Sequence, residues 1–161
     1  MEYNIKAHPT DYAGVKFRSR LEARWAAFFD LAGWKWEYEP IDLYGWVPDL
    51  FVSWLCGHSE CNGSHSILAE IKPYFSVEEF KGHPCMDYPF GHKYGSDGYI
   101  TDICIPADAS AALGVNPCVS YWEMTHGAGG GVETIKSWIN EADEMWKIAG
   151  NTTKYNPSKR V

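Results

Sequence analysis

Long apolar runs are missing from this 161-residue chain. No stretch approaches the roughly 20 residues that a membrane-spanning helix needs, and Met1-Glu2-Tyr3-Asn4-Ile5-Lys6 lacks the apolar centre of a secretory leader. The expectation is a cytoplasmic protein with no membrane partner. A disulfide framework is missing too, because five cysteines, an odd number, argue for free thiols or metal ligands. Cationic excess is absent: 14 Lys and Arg face 21 Asp and Glu, a net charge of −7. This counts against general affinity for phosphate, and a nucleic acid would have to be met by a local basic track. Nor is there a nucleotide-binding P-loop, since no Lys-Ser/Thr follows the glycine run Gly127-Ala128-Gly129-Gly130-Gly131. That run reads as a flexible connection, with phosphate contact ahead of the following helix as the lesser alternative.

What the chain does have is apolar material, 45% of its residues, enough for the core of one domain, which the helix and strand patterns along the chain make α/β. The expected boundaries are a single domain over 1–161, with its core over 17–149 and a mobile polar tail over 151–161. Residues 1–16 read as an arm. From Ser19 the period becomes helical, with Leu21, Trp25, Phe28, Phe29 and Ala32 on one stripe and Gly33 as the stop. Trp34-Lys35-Trp36-Glu37-Tyr38-Glu39 alternates like a half-buried strand. Val47-Pro48-Asp49-Leu50-Phe51-Val52 and Leu68-Ala69-Glu70-Ile71-Lys72 then read as two strands of a hairpin.

Alternation puts Glu70 and Lys72 on one face of the second strand, with Asp49 on its neighbour as the natural third member. Charges gathered on an apolar sheet are unfavourable unless something pairs or bridges them, and two close carboxylates become favourable when a hard cation such as Mg²⁺ lies between them. The competing reading is a surface Glu-Lys pair with Asp49 merely opening a strand. Pro48-Asp49 followed by Glu70-Ile71-Lys72 resembles the signature of the PD-(D/E)XK nucleases, including the phage- and transposon-borne TnsA and Holliday-junction-resolvase types. Glu22, in Phe17-Arg18-Ser19-Arg20-Leu21-Glu22-Ala23-Arg24-Trp25, falls where those nucleases carry an acidic residue on a first helix. The resemblance covers residues 12–75.

It implies a mixed central β-sheet flanked by helices, a restriction-endonuclease-like core, and Mg²⁺-dependent (or Mn²⁺-dependent) hydrolysis of DNA. Asp49, Glu70 and the backbone carbonyl of Ile71 would hold the metal, Glu22 would hold it directly or through water, and Lys72 would orient the attacking water. Ser19-Arg20-Leu21-Glu22 is equally a capping box, so a purely structural Glu22 stays open. Lys16, Arg18, Arg20 and Arg24 around the first helix, and Lys93 further on, are the cations available to DNA. A homodimer stays open, as does a silent nuclease scaffold that binds DNA or a host protein.

Between the motif strands lies Cys56-Gly57-His58-Ser59-Glu60-Cys61-Asn62-Gly63-Ser64-His65, in which Cys56, His58, Cys61 and His65 could wrap a structural Zn²⁺. The alternative is a hairpin tip with free thiols, and a zinc-stabilised interaction module is a third reading of the whole chain. Downstream, Ser76 to Phe80 opens a short helix and 83–98 forms a long aromatic loop, suited either to stacking on bases or to core packing. Tyr99 to Ile105 reads as a strand, Ala107 to Leu113 as a short helix, Cys118 to Met124 as a strand. Val132 to Ala149 reads as one amphipathic helix stopped by Gly150.

Overall fold

The computed structural model describes residues 8–43, 45–61, 63–89, 105–127 and 129–154. The strands β1 (Thr10–Tyr12) and β2 (Val15–Phe17) form a hairpin where an arm was expected. Its turn places Ala13 at φ 52° and Gly14 at φ 80°, the left-handed pair that matches the twist of two flanking strands. Helix α1 (Arg20–Leu31) follows, then β3 (Lys35–Tyr38), β4 (Leu50–Leu55) and β5 (Ser64–Ile71). Ser19 caps α1 with a complete capping box, and Gly33 stops the segment at φ 77°.

β6 (Ala109–Leu113), β7 (Ser120–His126) and β8 (Gly129–Glu133) give, among the described residues, a six-stranded sheet in the order β3-β4-β5-β6-β7-β8. The β5/β6 pair is parallel and the other pairs are antiparallel. The fold is therefore a single α/β domain on a mixed sheet. Helices α2 (Ile135–Trp138) and α3 (Ala142–Thr152) follow.

Residues 107–113 form no helix: Ala109, Ala111, Ala112 and Leu113 are fully buried and Ser110 nearly so, because β6 is a central strand covered on both faces. Such a strand shows no alternation, and burial overrides the helix preference of alanine. Glycines 129–131 form an edge strand and not a connection; Gly130 and Gly131 sit at φ 138° and 139°, a region closed to residues with a Cβ. The single helix over 132–149 is two, broken at 139–141, and Val132 lies on exposed β8.

Gly150 does not stop α3, which runs on to Thr152, so Asn151 and Thr152 belong to a helix and not to a mobile tail. A Cβ at Gly150 would stand 2.7 Å from the Arg24 guanidinium carbon, so a side chain here would have to push the Arg24 head away from its place over α3. The segment from Ser76 makes a 3₁₀ turn, Val77–Phe80, with its capping box intact. Residues 99–104 of the expected strand, 90–98 of the aromatic loop and 155–161 of the tail lie outside the described residues.

The sheet separates two cores. On one face Trp25, Phe28 and Phe29 of α1 and Trp146 of α3 pack over Val52, Ile67, Ala69, Ala111, Trp122 and Met124. On the other, Trp46, Phe80, Cys85, Ile105 and Ala107 cover Leu68 and Ala112. Odd-numbered β5 residues therefore look toward the helices and even-numbered ones, Glu70 among them, toward the 3₁₀ segments.

Candidate functional site

In the β4/β5 register Leu50 faces Ala69, so continuing the ladder by one residue sets Asp49 opposite Glu70. Backbone bonds extend the pairing that far: Asp49 donates its N–H to the Ala69 carbonyl at 2.9 Å and accepts one from Glu39 at 2.9 Å. The Asp49 carboxylate Oδ2 accepts the Ile71 N–H at 2.7 Å, which pins its rotamer across the ladder. Glu22 reaches the same end of the sheet from the first turn of α1. Its Oε1 accepts the Ser19 N–H at 3.0 Å, and it also hydrogen-bonds to Asp49, so cap and site residue are one side chain.

Glu22, Asp49 and Glu70 are only 6%, 8% and 5% exposed. Burial, then the charge of Asp49, pushes the Glu22 carboxyl up to about 7. Burial followed by the charge of Glu70 pushes Asp49 to about 7 as well. Glu70 is raised by burial too, though the hydrogen bond to Asp49, the charge of Lys72 and the Trp46 indole oppose the rise. Carboxyls hydrogen-bond to one another only when one keeps a proton, so the Glu22, Asp49, Glu70 chain cannot ionise fully without further positive charge beside it.

Two further groups fix Glu70. The Trp46 Nε1–H donates to Oε2 at 3.3 Å, and His83 Nε2 lies 3.2 Å from the same oxygen. His83 Nδ1 accepts the Cys85 N–H at 3.0 Å, which assigns the ring proton to Nε2 and makes it a donor to Glu70. Burial, with the charge of Lys72, holds His83 below the usual imidazole range, in keeping with a neutral ring. Neither Trp46 nor His83 stands out in the sequence, since each belongs to a stretch that reads as turn or loop. Lys72 follows β5, donates its N–H to the Leu113 carbonyl at 3.1 Å, and is close enough for its charge to act on Glu70, His83 and Cys85.

The expected basic track is largely occupied. The Arg24 guanidinium donates to the Trp146 carbonyl at 3.0 and 2.7 Å and lies 4.1 Å above the Trp146 ring, while Arg20 donates to the Gly150 carbonyl at 2.9 Å. Both arginines clamp α3. Arg18 pairs with Glu39 at 2.7 Å with its side chain largely in solvent, and Lys16 is exposed opposite Asp11. Lys93 lies outside the described residues.

At the other end of β5 a second cluster gathers Cys56, Cys61, His65 and His126, with all four ligand atoms within 4.8 Å of one another. This corrects the expected ligand set: His58 is replaced by His126, the last residue of β7. His58 accepts the Glu60 N–H through Nδ1 at 3.2 Å and packs beside the His126 ring, centroid to centroid 5.0 Å, without entering the cluster. The cluster is a two-cysteine, two-histidine set that could hold a metal ion. Among the described residues no helix is long and apolar enough to cross a membrane. No family model, curated protein or solved structure matches the chain.

Proposed function

We propose that the chain is a Mg²⁺-dependent (or Mn²⁺-dependent) DNA endonuclease of the PD-(D/E)XK type with a restriction-endonuclease-like core. The observation that carries this reading is the meeting of three buried carboxyls from α1, the start of β4 and β5, with Lys72 beside them. An all-oxygen donor set whose charge is poorly compensated suits a hard divalent cation. Asp49 and Glu70, with the Ile71 carbonyl and with Glu22 directly or through water, would hold it. Bound there, Mg²⁺ would polarise the scissile phosphate and acidify a water.

The chain's own groups do the rest. Ile71 N–H, Trp46 and His83 orient Asp49 and Glu70 before any substrate arrives, which removes reorganisation from the reaction. Lys72 supplies positive charge where negative charge develops on phosphate and can orient the attacking water. The net charge of −7 means that DNA must be drawn to the metal and to few cations, so binding should be weak without Mg²⁺.

Incubating the protein with supercoiled, linear and four-way-junction DNA tests the reading. Cleavage that requires Mg²⁺ or Mn²⁺ and leaves 5′-phosphate ends is expected on at least one of the three. Absence of cleavage on all of them, with either ion, would reduce the chain to a silent scaffold. The role of Glu22 is tested separately: Gln can keep the box with Ser19, so Glu22→Gln should fold and melt within about 1 kcal/mol of wild type. Cleavage at limiting Mg²⁺ should nonetheless fall by about 10- to 100-fold, the usual effect of losing a group that supports a metal ligand. Full activity in this variant would leave Glu22 a cap and nothing more.

A further inference from the structure

The contacts at the far end of β5 cannot be met by hydrogen atoms alone. His126 Nδ1 lies 3.4 Å from His65 Nε2, 3.9 Å from Cys56 Sγ and 3.8 Å from Cys61 Sγ. One imidazole nitrogen carries either a proton or a lone pair and so serves one such partner, not three. Four soft ligand atoms turned toward a common point leave a single centre as the shared partner. The three spacings from His126 bear on its size: with Zn–S about 2.3 Å and Zn–N about 2.0–2.1 Å, a tetrahedron has edges of about 3.3–3.4 Å between nitrogens, about 3.6 Å between nitrogen and sulfur and about 3.8 Å between sulfurs.

We infer that Cys56, Cys61, His65 and His126 form a closed, four-ligand Zn²⁺ site whose role is structural. The nitrogen–nitrogen contact matches the tetrahedral edge, and the two sulfur–nitrogen contacts exceed theirs by only a few tenths of an ångström. A two-iron cluster with the same residue types divides its cysteines and histidines between separate irons, which these short mixed contacts do not permit. Cys₂His₂ in a tetrahedral arrangement selects Zn²⁺ among the common divalent ions and leaves no position for substrate.

The surroundings are those of a built site. His65 Nδ1 lies 3.3 Å from Asp108 Oδ2, and that same oxygen accepts the Ser66 N–H at 3.0 Å, so the carboxylate is fixed. With its Nδ1 proton directed to Asp108, His65 offers Nε2 to the metal. The Gly127 N–H donates to Cys61 Sγ at 3.2 Å, a bond that stabilises thiolate. The Trp138 ring stands edge-on to both histidines, with centroids 5.4 and 5.0 Å away, and Trp54 borders His65 at 5.9 Å. These rings limit rotation of the ligands and keep water from one side.

Topology explains the function. Extending the β5/β6 and β6/β7 registers, Ala107 would separate His65 from His126, but β6 begins only at Ala109. At this end the β4–β5 hairpin and the β7–β8 hairpin lack a continuous ladder between them, and the zinc site ties one to the other. It lies on the helix-covered face, whereas Glu70 lies on the opposite face at the opposite end of β5. The two metal sites are therefore independent, and this inference does not rest on the nuclease reading.

Protein purified without chelator should contain about one equivalent of zinc by elemental analysis. Exchange for Co²⁺ should give the intense visible bands of a tetrahedral ion together with thiolate-to-cobalt charge transfer. His126→Ala should abolish both signals, whereas His58→Ala should keep both. Asp108→Asn should keep the stoichiometry while weakening zinc retention against a competing chelator by about 10- to 100-fold. Because the cobalt spectrum is read on the wild-type chain, a variant that fails to fold does not remove the test. Less than about a tenth of an equivalent of zinc and no cobalt band in wild type would overturn the inference, as would loss of metal in His58→Ala with retention in His126→Ala.

Discussion

Asp49→Asn is expected to abolish Mg²⁺-dependent DNA cleavage without unfolding the protein. Asn keeps an oxygen able to accept the Ile71 N–H, so the lock across β4 and β5 survives while a ligand charge is lost. Metal affinity should fall, and repulsion within the Glu22, Asp49, Glu70 chain should fall with it. Lys72→Ala acts differently. It leaves all three carboxyls, so the metal should still bind and protect against melting, but loss of the cation beside the reacting phosphate should lower turnover by about 10²- to 10³-fold. Since both residues serve one step, the double variant should be scarcely worse than either single one. Cleavage assays on purified variants, with melting curves to verify the fold, check this. Wild-type rates from Asp49→Asn would place the chemistry elsewhere.

How far the sequence discloses this arrangement depends on the range of the signal that each part leaves. The juxtaposition of Asp49 with Glu70 and Lys72 follows from period-two alternation along two adjacent strands, a rule that needs only neighbouring residues, and the β4/β5 register agrees with it. Helix α1 is equally legible, because its stripe and its capping box are local. β6 is not legible: a strand buried on both faces has no alternation, and alanines carry no strand preference. The helix broken at 139–141 shows the same limit, since a helical stripe can continue in sequence across a bend in space.

The site partners were hidden for a related reason. His126 follows Trp122 and Met124 at strand spacing, so extending that strand by two residues would have placed it on the helix-covered face. Its meeting with His65, however, depends on where β6 begins. His83 and Trp46 come from segments without period, and their donation to Glu70 is a tertiary contact with no local trace. The basic residues err in the opposite direction. Arg20 and Arg24 look available to DNA by composition, but both donate to backbone carbonyls of α3, and the Arg24 head occupies the space that Gly150 leaves bare.

The carboxyl chain also sets how the Mg²⁺-free protein should respond to pH, and the direction is opposite to that of an ordinary paired carboxylate. Glu22 and Asp49, both raised to about 7, keep protons in the folded state that the unfolded chain has already released above about pH 4. The folded state thus binds more protons across this window, so stability falls as pH rises from about 4 to about 7, and the full loss is present above it. His83 has the opposite slope, because its depressed value removes stability as pH drops below about 6.5. The cleanest comparison is therefore pH 6 against pH 8. A tenfold difference in proton affinity between folded and unfolded chain is worth about 1.4 kcal/mol, and the stability lost between these two pH values should be on the order of 2 kcal/mol. For a domain of this size that lowers the melting midpoint by roughly 4–8 °C. Mg²⁺ at about 100 times its dissociation constant should restore about 2.7 kcal/mol at pH 8, because the ion binds the ionised carboxylates of the folded state alone. Asp49→Asn should flatten the pH response and lose the Mg²⁺ response together. A wild-type midpoint that rises from pH 6 to pH 8 without Mg²⁺, with zinc left in place, would mean that these carboxyls are compensated by the protein itself, and that no cation is required between them.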